Sequence, residues 1–431
     1  MAWPPAGARD GSVRWFIIAG TVPSPMATRY VIIGGGIAGT TAAATIRSLD
    51  GEGSITILTD EQRPLYARIR LPELLSGGVD AEKLTLRKAS WYEREGIELR
   101  GGEPAMGIDP GARVVVTGKA AKVPYDRLLL AMGCSAYVPP IAGSARPGVF
   151  TLRRMDDALA IKDRLRFGDH RVAIVGGGVL GLEVGYNLIK VGNRVEVVEF
   201  FDRLLPKQTD PEASRMFQGQ LDSMGFHFQL SGRSKAVVGG AGGIEALLLE
   251  DGRTLECDTV IVSAGVRPNT ALCERLGLKV DRGVVVDDRL ATGVPDVYAA
   301  GDVISHRGVS YGIWPPAERQ GEVAGTNMAG GRATYEGSTV SNTLKVVGVD
   351  LFAAGEIDPA GSRKSVIARD PDRQVYKKLV LEGGRIVGAI LYGDVRDQKR
   401  VLRAIETRQD LGAVMDRVSC WDLSMLDAGP A

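Results

Sequence analysis

Apolar residues along the chain form two copies of one pattern, and each copy begins with a short run of β-branched and apolar residues. In the first copy this run covers residues 29–33, a glycine-rich loop follows, and residues 40–49 are apolar and rich in alanine. A second apolar run covers residues 54–58. The short runs predict buried strands, whereas the alanine-rich stretch predicts a helix. The pattern therefore indicates a β-loop-α-β unit of about 30 residues.

The second copy of the pattern covers residues 171–198. A strand is predicted at residues 171–175, a helix at 182–191 and a further strand at 194–198, again with a glycine-rich loop after the first strand. The two copies lie too far apart for a solenoid, whose repeats are about 20–50 residues long. They therefore indicate two separate domains of the same kind.

Both glycine loops have the spacing G-x-G-x-x-G. The first is Gly34-Gly35-Gly36-Ile37-Ala38-Gly39, and the second is Gly176-Gly177-Gly178-Val179-Leu180-Gly181. In such a loop the first glycine makes the turn, the second lets the backbone approach a pyrophosphate, and the third lets helix and strand pack closely. The phosphates lie at the helix N-terminus, where free N–H groups favour anions. Each loop therefore predicts a dinucleotide site.

An acidic residue close to the end of the following strand supports each site. It is Asp60 in the first unit and Glu199 in the second. A carboxylate at this place accepts hydrogen bonds from the adenosine ribose hydroxyls. The Glu199 carboxylate would also repel the 2′-phosphate of NADPH, so we expect NADH at the second loop. Arg203, a turn further on, could offset this charge, and NADPH stays the less favoured alternative.

The last hundred residues have a different pattern, with shorter strands and tight turns. Strands are predicted at residues 341–352, 365–368, 375–381 and 385–392. A helix predicted at residues 396–408 has Val401, Leu402 and Ile405 on one face. Four basic residues share its opposite face: Arg396, Lys399, Arg400 and Arg403. These elements predict a small α+β domain over residues 334–431.

Charge and hydropathy exclude two classes of partner. The 53 Lys and Arg residues nearly balance 52 Asp and Glu residues, so no nucleic-acid partner is expected. No apolar run reaches the roughly 18 residues that would span a bilayer, so no membrane span is predicted. Residues 1–25 precede the first strand and end just before Met26, and we expect them to form a disordered extension.

Cysteine usage indicates a reducing compartment. The chain has only four cysteines, and they are scattered: Cys134, Cys257, Cys273 and Cys420. With three histidines besides, the sequence offers no metal-ligand spacing, and no metal site is expected. Unpaired, scattered thiols favour a cytoplasmic location.

Three further motifs, taken with the glycine loops, resemble the FAD-dependent pyridine nucleotide oxidoreductases over about residues 28–411. They are Ala131-Met132-Gly133, in which methionine replaces the family's threonine, Gly301-Asp302, and Gly265 with residues 266–269. The resemblance implies that Asp302 holds the ribityl chain of FAD and that Glu183 reaches the nicotinamide. It also implies that Trp314 and the helix N-terminus near Ala317 flank the flavin.

The same resemblance implies a fold. It is an α/β fold with two Rossmann-like dinucleotide-binding domains, as in glutathione reductase, and a small α+β C-terminal domain. The FAD-binding domain would be discontinuous, formed by residues 26–145 and 262–333. The NAD-binding domain would be inserted in it at residues 146–261.

The region after the first β-loop-α-β unit indicates which members of the family the chain resembles most. Relatives that reduce disulfides or peroxides carry a redox cysteine there, but this chain has none before Cys134. Residues 65–75 instead have the pattern R-x-R-L-x-E, with Arg68, Arg70 and Glu73. The pattern is similar to NADH:rubredoxin oxidoreductases and to the flavin module of assimilatory nitrite reductases. The resemblance implies that Arg68 and Arg70 of this chain contact the flavin. Ferredoxin reductases of another type have lysine in place of Glu73, so the match to them is poorer.

The resemblance implies an enzyme in which hydride passes from NADH to FAD and electrons continue to a small redox protein. That acceptor would be a rubredoxin or an iron–sulfur protein, docking on the basic face of the last helix. Three alternatives stay open. The chain could be the flavin subunit of a nitrite reductase, an NADH oxidase that forms hydrogen peroxide, or a non-enzymatic redox sensor that holds FAD and NADH.

Overall fold

A computed structural model of the protein describes residues 27–346 and 348–427. The first segment begins with a β-loop-α-β unit and continues through short helices and an antiparallel sheet. Its strands are β1 (Arg29–Ile33), β2 (Ser54–Leu58), β3 (Ile97–Arg100), β4 (Ala105–Asp109), β5 (Val114–Thr117), β6 (Lys122–Pro124), β7 (Arg127–Leu130) and β8 (Cys134–Ala136). Its helices are α1 (Ile37–Leu49), α2 (Leu71–Leu75) and α3 (Ala89–Arg94), with 3₁₀ turns at Arg68–Arg70 and Ala81–Leu84.

The next segment repeats the design. Its strands are β9 (Val149–Thr151), β10 (Arg171–Val175), β11 (Arg194–Val198), β12 (Phe226–Gln229), β13 (Ser234–Val238), β14 (Ala246–Leu249), β15 (Thr254–Glu256) and β16 (Thr259–Val262). Its helices are α4 (Met155–Leu165), α5 (Val179–Lys190) and α6 (Pro211–Ser223). Strands β12-β11-β10-β16-β9 form a parallel sheet in that order. Helices α4, α5 and α6 cover one face of this sheet, and the antiparallel strands β13-β14-β15 cover the other, so its β-branched strands are buried.

The chain then returns to the first sheet. The segment holds β17 (Val266–Pro268), α7 (Ala271–Arg275), β18 (Val284–Val286), β19 (Val297–Ala299), β20 (Ile304–His306) and α8 (Trp314–Met328). Strand β19 pairs with β7 in the parallel sheet β19-β7-β1-β2-β3. Residues on both sides of the second unit therefore share one sheet.

Helix α8 begins at Trp314, three residues before the predicted start near Ala317. Prolines occupy its first turn, where the missing N–H costs nothing because no intrahelical acceptor exists for it. The helix packs closely on α1, since a Cβ on Gly321 would lie 2.4 Å from the Ala38 carbonyl oxygen. This contact places the start of α8 beside the first glycine loop.

The C-terminal part is an antiparallel sheet with helices on one face. It contains β21 (Ser341–Val346), β22 (Val349–Gly355), β23 (Lys364–Asp370), β24 (Val375–Glu382), β25 (Arg385–Tyr392), α9 (Gln398–Glu406) and α10 (Met415–Ser419). The strand order is β21-β22-β25-β24-β23. The prediction of one strand over residues 341–352 is wrong, because the chain reverses there and β21 pairs antiparallel with β22. Gly348 lies in the turn with φ of +79°.

The two faces of this C-terminal sheet have different neighbours. Buried side chains of one face, including Phe352, Leu379 and Leu391, pack against Val401 and Ala404 of α9. Side chains of the other face, including Tyr376 and Tyr392, belong to the core that contains α2, α5 and α6. The sheet therefore separates α9 from the second nucleotide-binding unit.

Two sequence predictions concern residues 1–25 and membrane-spanning helices. The predicted disordered extension, residues 1–25, lies outside the described residues. Within residues 27–346 and 348–427, each helix is too short or too polar to cross a bilayer.

Candidate cofactor-binding site

The first glycine loop has one open position and two crowded ones. A Cβ on Gly34, whose φ is +117°, would lie 2.1 Å from the Ala131 carbonyl oxygen. A Cβ on Gly39 would lie 2.0 Å from the carbonyl oxygen of Gly34. A Cβ on Gly36 would meet no atom within 4 Å. The first and third glycines are therefore required by the fold, whereas Gly36 leaves free the surface that a pyrophosphate would approach.

The second loop has the same geometry. A Cβ on Gly176 would lie 2.3 Å from the Ser263 carbonyl oxygen, and one on Gly181 would lie 2.1 Å from the carbonyl oxygen of Gly176. A Cβ on Gly178 would meet nothing within 4 Å. Gly36 and Gly178 are the N-cap residues of α1 and α5, and neither helix has a side-chain cap. Their first N–H groups can therefore bind phosphate oxygens.

The acidic residues beside the two loops are not equivalent. Glu199 follows β11 directly, and its carboxylate accepts hydrogen bonds from the N–H of Gly177 at 2.6 Å and of Phe201 at 2.9 Å. The matching position after β2 holds Thr59, because β1–β2 and β10–β11 pair in the same register. Asp60 lies one residue further on, is half exposed and forms an ion pair with Arg154.

Glu61, rather than Asp60, faces the cleft beside the first loop. The Tyr66 hydroxyl donates to the Glu61 carboxylate at 2.5 Å, and Arg68 forms an ion pair with it. The cleft is lined by Gly35, Thr59, Glu61, Arg63, Pro64, Leu65, Tyr66 and Arg68. The expectation that Asp60 is the acid of the first site therefore lacks support from the geometry. The sequence carried a signal, the adjacent pair Asp60-Glu61, but spacing alone does not distinguish its members.

The two arginines predicted beside the flavin lie in different surroundings. Arg68 lines the cleft and also donates to the Arg153 carbonyl oxygen at 3.2 Å. Arg70 is exposed and forms a two-point ion pair with Glu73, with distances of 2.8 and 2.7 Å. The structure therefore brings Arg68, and not Arg70, to the first loop.

Asp302 is held by residues from a distant part of the chain. It accepts a hydrogen bond from Arg153 at 2.9 Å and one from the Cys134 thiol at 3.2 Å. Burial, followed by the negative charge of Asp302, raises the pKa of the Cys134 thiol to about 12. This thiol therefore stays protonated near neutrality and is a poor nucleophile. Arg153 was not predicted, because no local pattern links it to Gly301-Asp302.

The remaining motifs of the first site come together around α8. Gly301 has φ of +85°, and a Cβ there would lie 3.0 Å from Cβ of Ala38 and 3.9 Å from that of Ala317. Its N–H donates to the Gln320 side chain at 2.8 Å. Trp314 is the first residue of α8 and is partly buried. Gly301, Ala317 and the first loop thus share one location.

A hydrogen-bonded strand pair places Ala131-Met132-Gly133 beside Gly265. Strands β8 and β17, which follow these two motifs, are antiparallel partners. Asn269 donates from its backbone to the Gly133 carbonyl oxygen at 3.0 Å and from its side chain to the Met132 carbonyl oxygen at 2.9 Å. Asn269 therefore holds the 131–133 loop in place.

Glu183 lies on α5, the helix that packs on α2. Burial, followed by the negative charge of Glu73, raises the pKa of the Glu183 carboxyl to about 7. The structure thus places a carboxyl with a pKa near neutrality two residues beyond the second glycine loop. Perturbed carboxyls of this kind are common at sites of chemistry.

Comparison with known families supports the resemblance. Residues 28–321 match the family model described as pyridine nucleotide-disulphide oxidoreductase, and residues 341–409 match the rubredoxin NAD+ reductase C-terminal domain. The NADH-rubredoxin oxidoreductase of Clostridium acetobutylicum is 28% identical over 92% of this chain and 98% of its own. Its solved structure has a TM-score of 0.78 and covers 92% of this chain and 99% of that one.

Other relatives are longer than this chain. A nitrite reductase [NAD(P)H] of Bacillus subtilis is 36% identical over 89% of this chain but only 48% of its own length. The assimilatory nitrate reductase electron transfer subunit of the same organism is 32% identical over 90% of this chain and 51% of its own. The chain thus spans about half the length of these relatives.

A solved complex of putidaredoxin reductase with putidaredoxin has the same fold. It has a TM-score of 0.84 at 24% identity, covering 93% of this chain and 98% of that one. The family match over residues 28–321 also supports FAD and NADH as cofactors. The chain belongs to the pyridine nucleotide-disulphide oxidoreductase family.

Proposed function

We propose that the protein oxidises NADH at a bound FAD and passes the electrons to a small redox protein. One observation carries this proposal: both glycine loops leave the middle glycine open while crowding the first and third. Two sites of this geometry in one chain fit two dinucleotides, because each provides an unhindered backbone at a helix N-terminus.

FAD would occupy the first site. The backbone at Gly36 would bind its pyrophosphate, Glu61 its ribose, and Asp302, oriented by Arg153, its ribityl chain. Arg68, which lines the same cleft, would lie near the flavin. When bound, FAD supplies the hydride acceptor and the release of electrons. The FAD part would consist of residues 26–145 and 262–333, which is supported by the pairing of β19 with β7.

NADH would occupy the second site, in the part formed by residues 146–261. Its pyrophosphate would lie at Gly178, its ribose at Glu199 and its nicotinamide near Glu183. Glu199 is buried, so its charge would oppose the 2′-phosphate of NADPH strongly. The charge of Arg203 is partly offset by Asp202 at 2.9 Å, which further favours NADH.

Electrons would leave the flavin without a thiol relay. Burial is the main cause that raises the pKa of Cys134, Cys257 and Cys273 to about 12, so these thiols stay protonated at neutral pH. The fourth cysteine, Cys420, is exposed in the C-terminal part. Direct transfer to an external acceptor is the reaction that these residues permit. The Clostridium relative is named for rubredoxin, and an acceptor of that size is the one we propose here.

The proposed docking surface is formed by Lys399, Arg400 and Arg403 of α9 together with Arg396, which lies in the turn before the helix begins at Gln398. Within this surface Arg396 pairs with Asp394 at 2.8 Å and Arg400 pairs with Asp397 at 3.3 Å. The C-terminal sheet separates α9 from α5 and α6, and a sheet layer adds about 10 Å. We therefore expect this surface to affect the encounter rate more than the transfer step.

Charge reversal tests the docking surface. The variant Lys399→Glu with Arg403→Glu should slow acceptor reduction at low salt by about threefold to tenfold, and should leave flavin reduction by NADH unchanged. A matched control is Lys162→Glu with Lys190→Glu, which changes the net charge by the same amount on α4 and α5. An acceptor rate unchanged by the first variant, or slowed equally by both, would exclude docking on α9.

A steady-state screen tests the function itself. NADH oxidation is measured with rubredoxin, ferredoxin, ferricyanide and oxygen, and flavin reduction is followed by stopped-flow absorbance. Fast flavin reduction and reoxidation by a small redox protein support the proposal. Reoxidation by oxygen alone, with hydrogen peroxide as product, favours the oxidase. A long-lived complex of reduced flavin with NAD⁺ that no acceptor discharges favours the sensor. If NADH does not reduce the flavin, both the proposed electron-transfer enzyme and the oxidase are excluded.

A further inference from the structure

A buried polar contact joins the C-terminal sheet to Asp210, the N-cap residue of α6. The Asp210 carboxylate caps α6 by accepting from the Ala213 N–H at 3.0 Å. Its other oxygen accepts from the Tyr376 hydroxyl at 2.6 Å and lies 3.3 Å from the Lys378 ammonium. Tyr376 and Lys378 both belong to β24, so one carboxylate binds two parts of the chain.

All three members of this contact are removed from solvent. Tyr376 is 1% exposed, Lys378 3% and Asp210 5%. The Lys378 ammonium also donates to the Asp358 carbonyl oxygen at 2.7 Å. Buried charges with several hydrogen bonds are held in one geometry, because loss of any partner leaves a desolvated group unsatisfied. The contact therefore fixes where α6 begins.

The residues just before α6 carry this position to the second glycine loop. Thr209, fully buried, donates from its hydroxyl to the carbonyl oxygens of Leu204 and Leu205 at 2.8 and 3.0 Å. Ser214, in the first turn of α6, donates to the Leu204 carbonyl oxygen at 3.0 Å. The Leu205 N–H in turn donates to the carbonyl oxygen of Gly177 at 3.3 Å.

Two details show that neighbouring residues restrict the conformation of the segment 204–209. Leu205 has φ of +50°, a left-handed conformation that a leucine adopts only when its surroundings enforce it. A Cβ on Gly177 would lie 2.8 Å from the Leu204 side chain and 3.1 Å from the Glu199 carboxylate. The segment therefore packs against the loop and acid that would bind the adenosine half of NADH.

We propose that Tyr376 and Lys378 are positioning residues for the adenosine half of the NADH site, acting through Asp210 and the segment 204–209. The C-terminal domain would thereby contribute to coenzyme affinity through contacts that lie outside the second glycine loop. This inference rests on the proposed binding of NADH at the second loop.

The same interface offers a matched control. Tyr392 donates to the Gln220 side chain at 2.6 Å, so a second tyrosine of the C-terminal sheet binds α6 near its other end. Gln220 follows Asp210 by ten residues, or about 15 Å along the helix. Tyr392→Phe removes a hydroxyl from the same interface without touching the segment before α6.

The experiment compares the FAD-loaded wild type with Tyr376→Phe, Lys378→Met and Tyr392→Phe. Stopped-flow flavin reduction at increasing NADH gives an apparent Kd and a limiting rate, and calorimetry gives the Kd for ADP-ribose. We expect Tyr376→Phe and Lys378→Met to raise both Kd values by about 2- to 30-fold with an unchanged limiting rate. Tyr392→Phe should leave them unchanged. Reduction by NMNH, which lacks the adenosine half, should be the same in all four proteins.

The possible outcomes distinguish failure of the positioning role from failure of the proposed function. Equal changes in Tyr376→Phe and Tyr392→Phe, no change in either β24 variant, or the same loss with NMNH as with NADH would overturn the positioning role. If Tyr376→Phe does not fold with FAD, Lys378→Met decides by the same criteria. A wild type whose flavin NADH does not reduce, and which binds no ADP-ribose, refutes the proposed function instead.

Discussion

The Glu183 carboxyl offers a test of the electrostatics of the second site. Its pKa is raised from 4.5 to about 7, first by burial and then by the charge of Glu73. A carboxyl with a raised pKa binds its proton more tightly in the folded state than in the unfolded state. Stability therefore falls as pH rises from about 4.5 to about 7, and the full penalty remains above that range.

The substitution Glu183→Gln removes this titration while keeping the shape of the side chain. Raising the pKa of this carboxyl from 4.5 to about 7 corresponds to about 3 kcal/mol, an upper bound because the side chain keeps some solvent exposure. About 1 kcal/mol of this penalty is present at pH 5.5 and about 3 kcal/mol at pH 8.5. The variant should therefore gain about 2 kcal/mol more stability at pH 8.5 than at pH 5.5.

The assay is urea unfolding of both proteins at these two pH values, with a fixed excess of FAD and no NADH. Glu93→Gln is the control, since Glu93 is an exposed glutamate on α3. It should change the free energy of unfolding by a similar small amount at both pH values. A difference between wild type and Glu183→Gln that does not grow with pH would refute a neutral Glu183 in the folded protein.

Three further predictions concern the glycine loops, the coenzyme and the thiols. Gly36→Ala should preserve folding but weaken FAD binding at least tenfold. Gly34→Ala should prevent folding, because its Cβ would clash with the Ala131 carbonyl oxygen. FAD content and circular dichroism distinguish the two variants. Glu199→Gln should reduce the preference for NADH over NADPH about tenfold, measured as the ratio of kcat/KM, and an unchanged ratio would exclude Glu199 as the selector. Cys134→Ala should leave the rate of flavin reoxidation within about twofold, since its thiol stays protonated, and a large loss would reveal a thiol relay.

Much of the candidate site could be predicted because its signals are local. The two loops need glycine at fixed positions, where a Cβ of any other residue would strike a neighbouring carbonyl, as Gly34 and Gly176 show. Runs of β-branched residues before each loop are long enough to specify buried strands. A reader of the sequence can therefore identify both dinucleotide loops without knowing how the chain continues.

Side chains near the loops were harder to assign, because adjacent residues of a strand end point in different directions. Asp60 and Glu61 are neighbours in the sequence, yet one pairs with Arg154 at the surface and the other faces the cleft. Only their tertiary partners distinguish them, Tyr66 and Arg68 for Glu61 and Arg154 for Asp60. The periodicity predicts a basic helix face, but the helix begins only after Arg396, and the ion pairs with Asp394 and Asp397 follow from the tertiary structure.

The sequence by itself determined that this protein has two dinucleotide loops, because backbone sterics demand glycine locally. The tertiary structure alone decided which distant residues serve those loops. Arg153 reaches Asp302, and Tyr376 reaches Asp210 across 166 positions of sequence, through contacts that leave no periodic trace. These contacts form because separate sheets and helices pack around shared buried charges. The residues involved are brought together only when the chain folds.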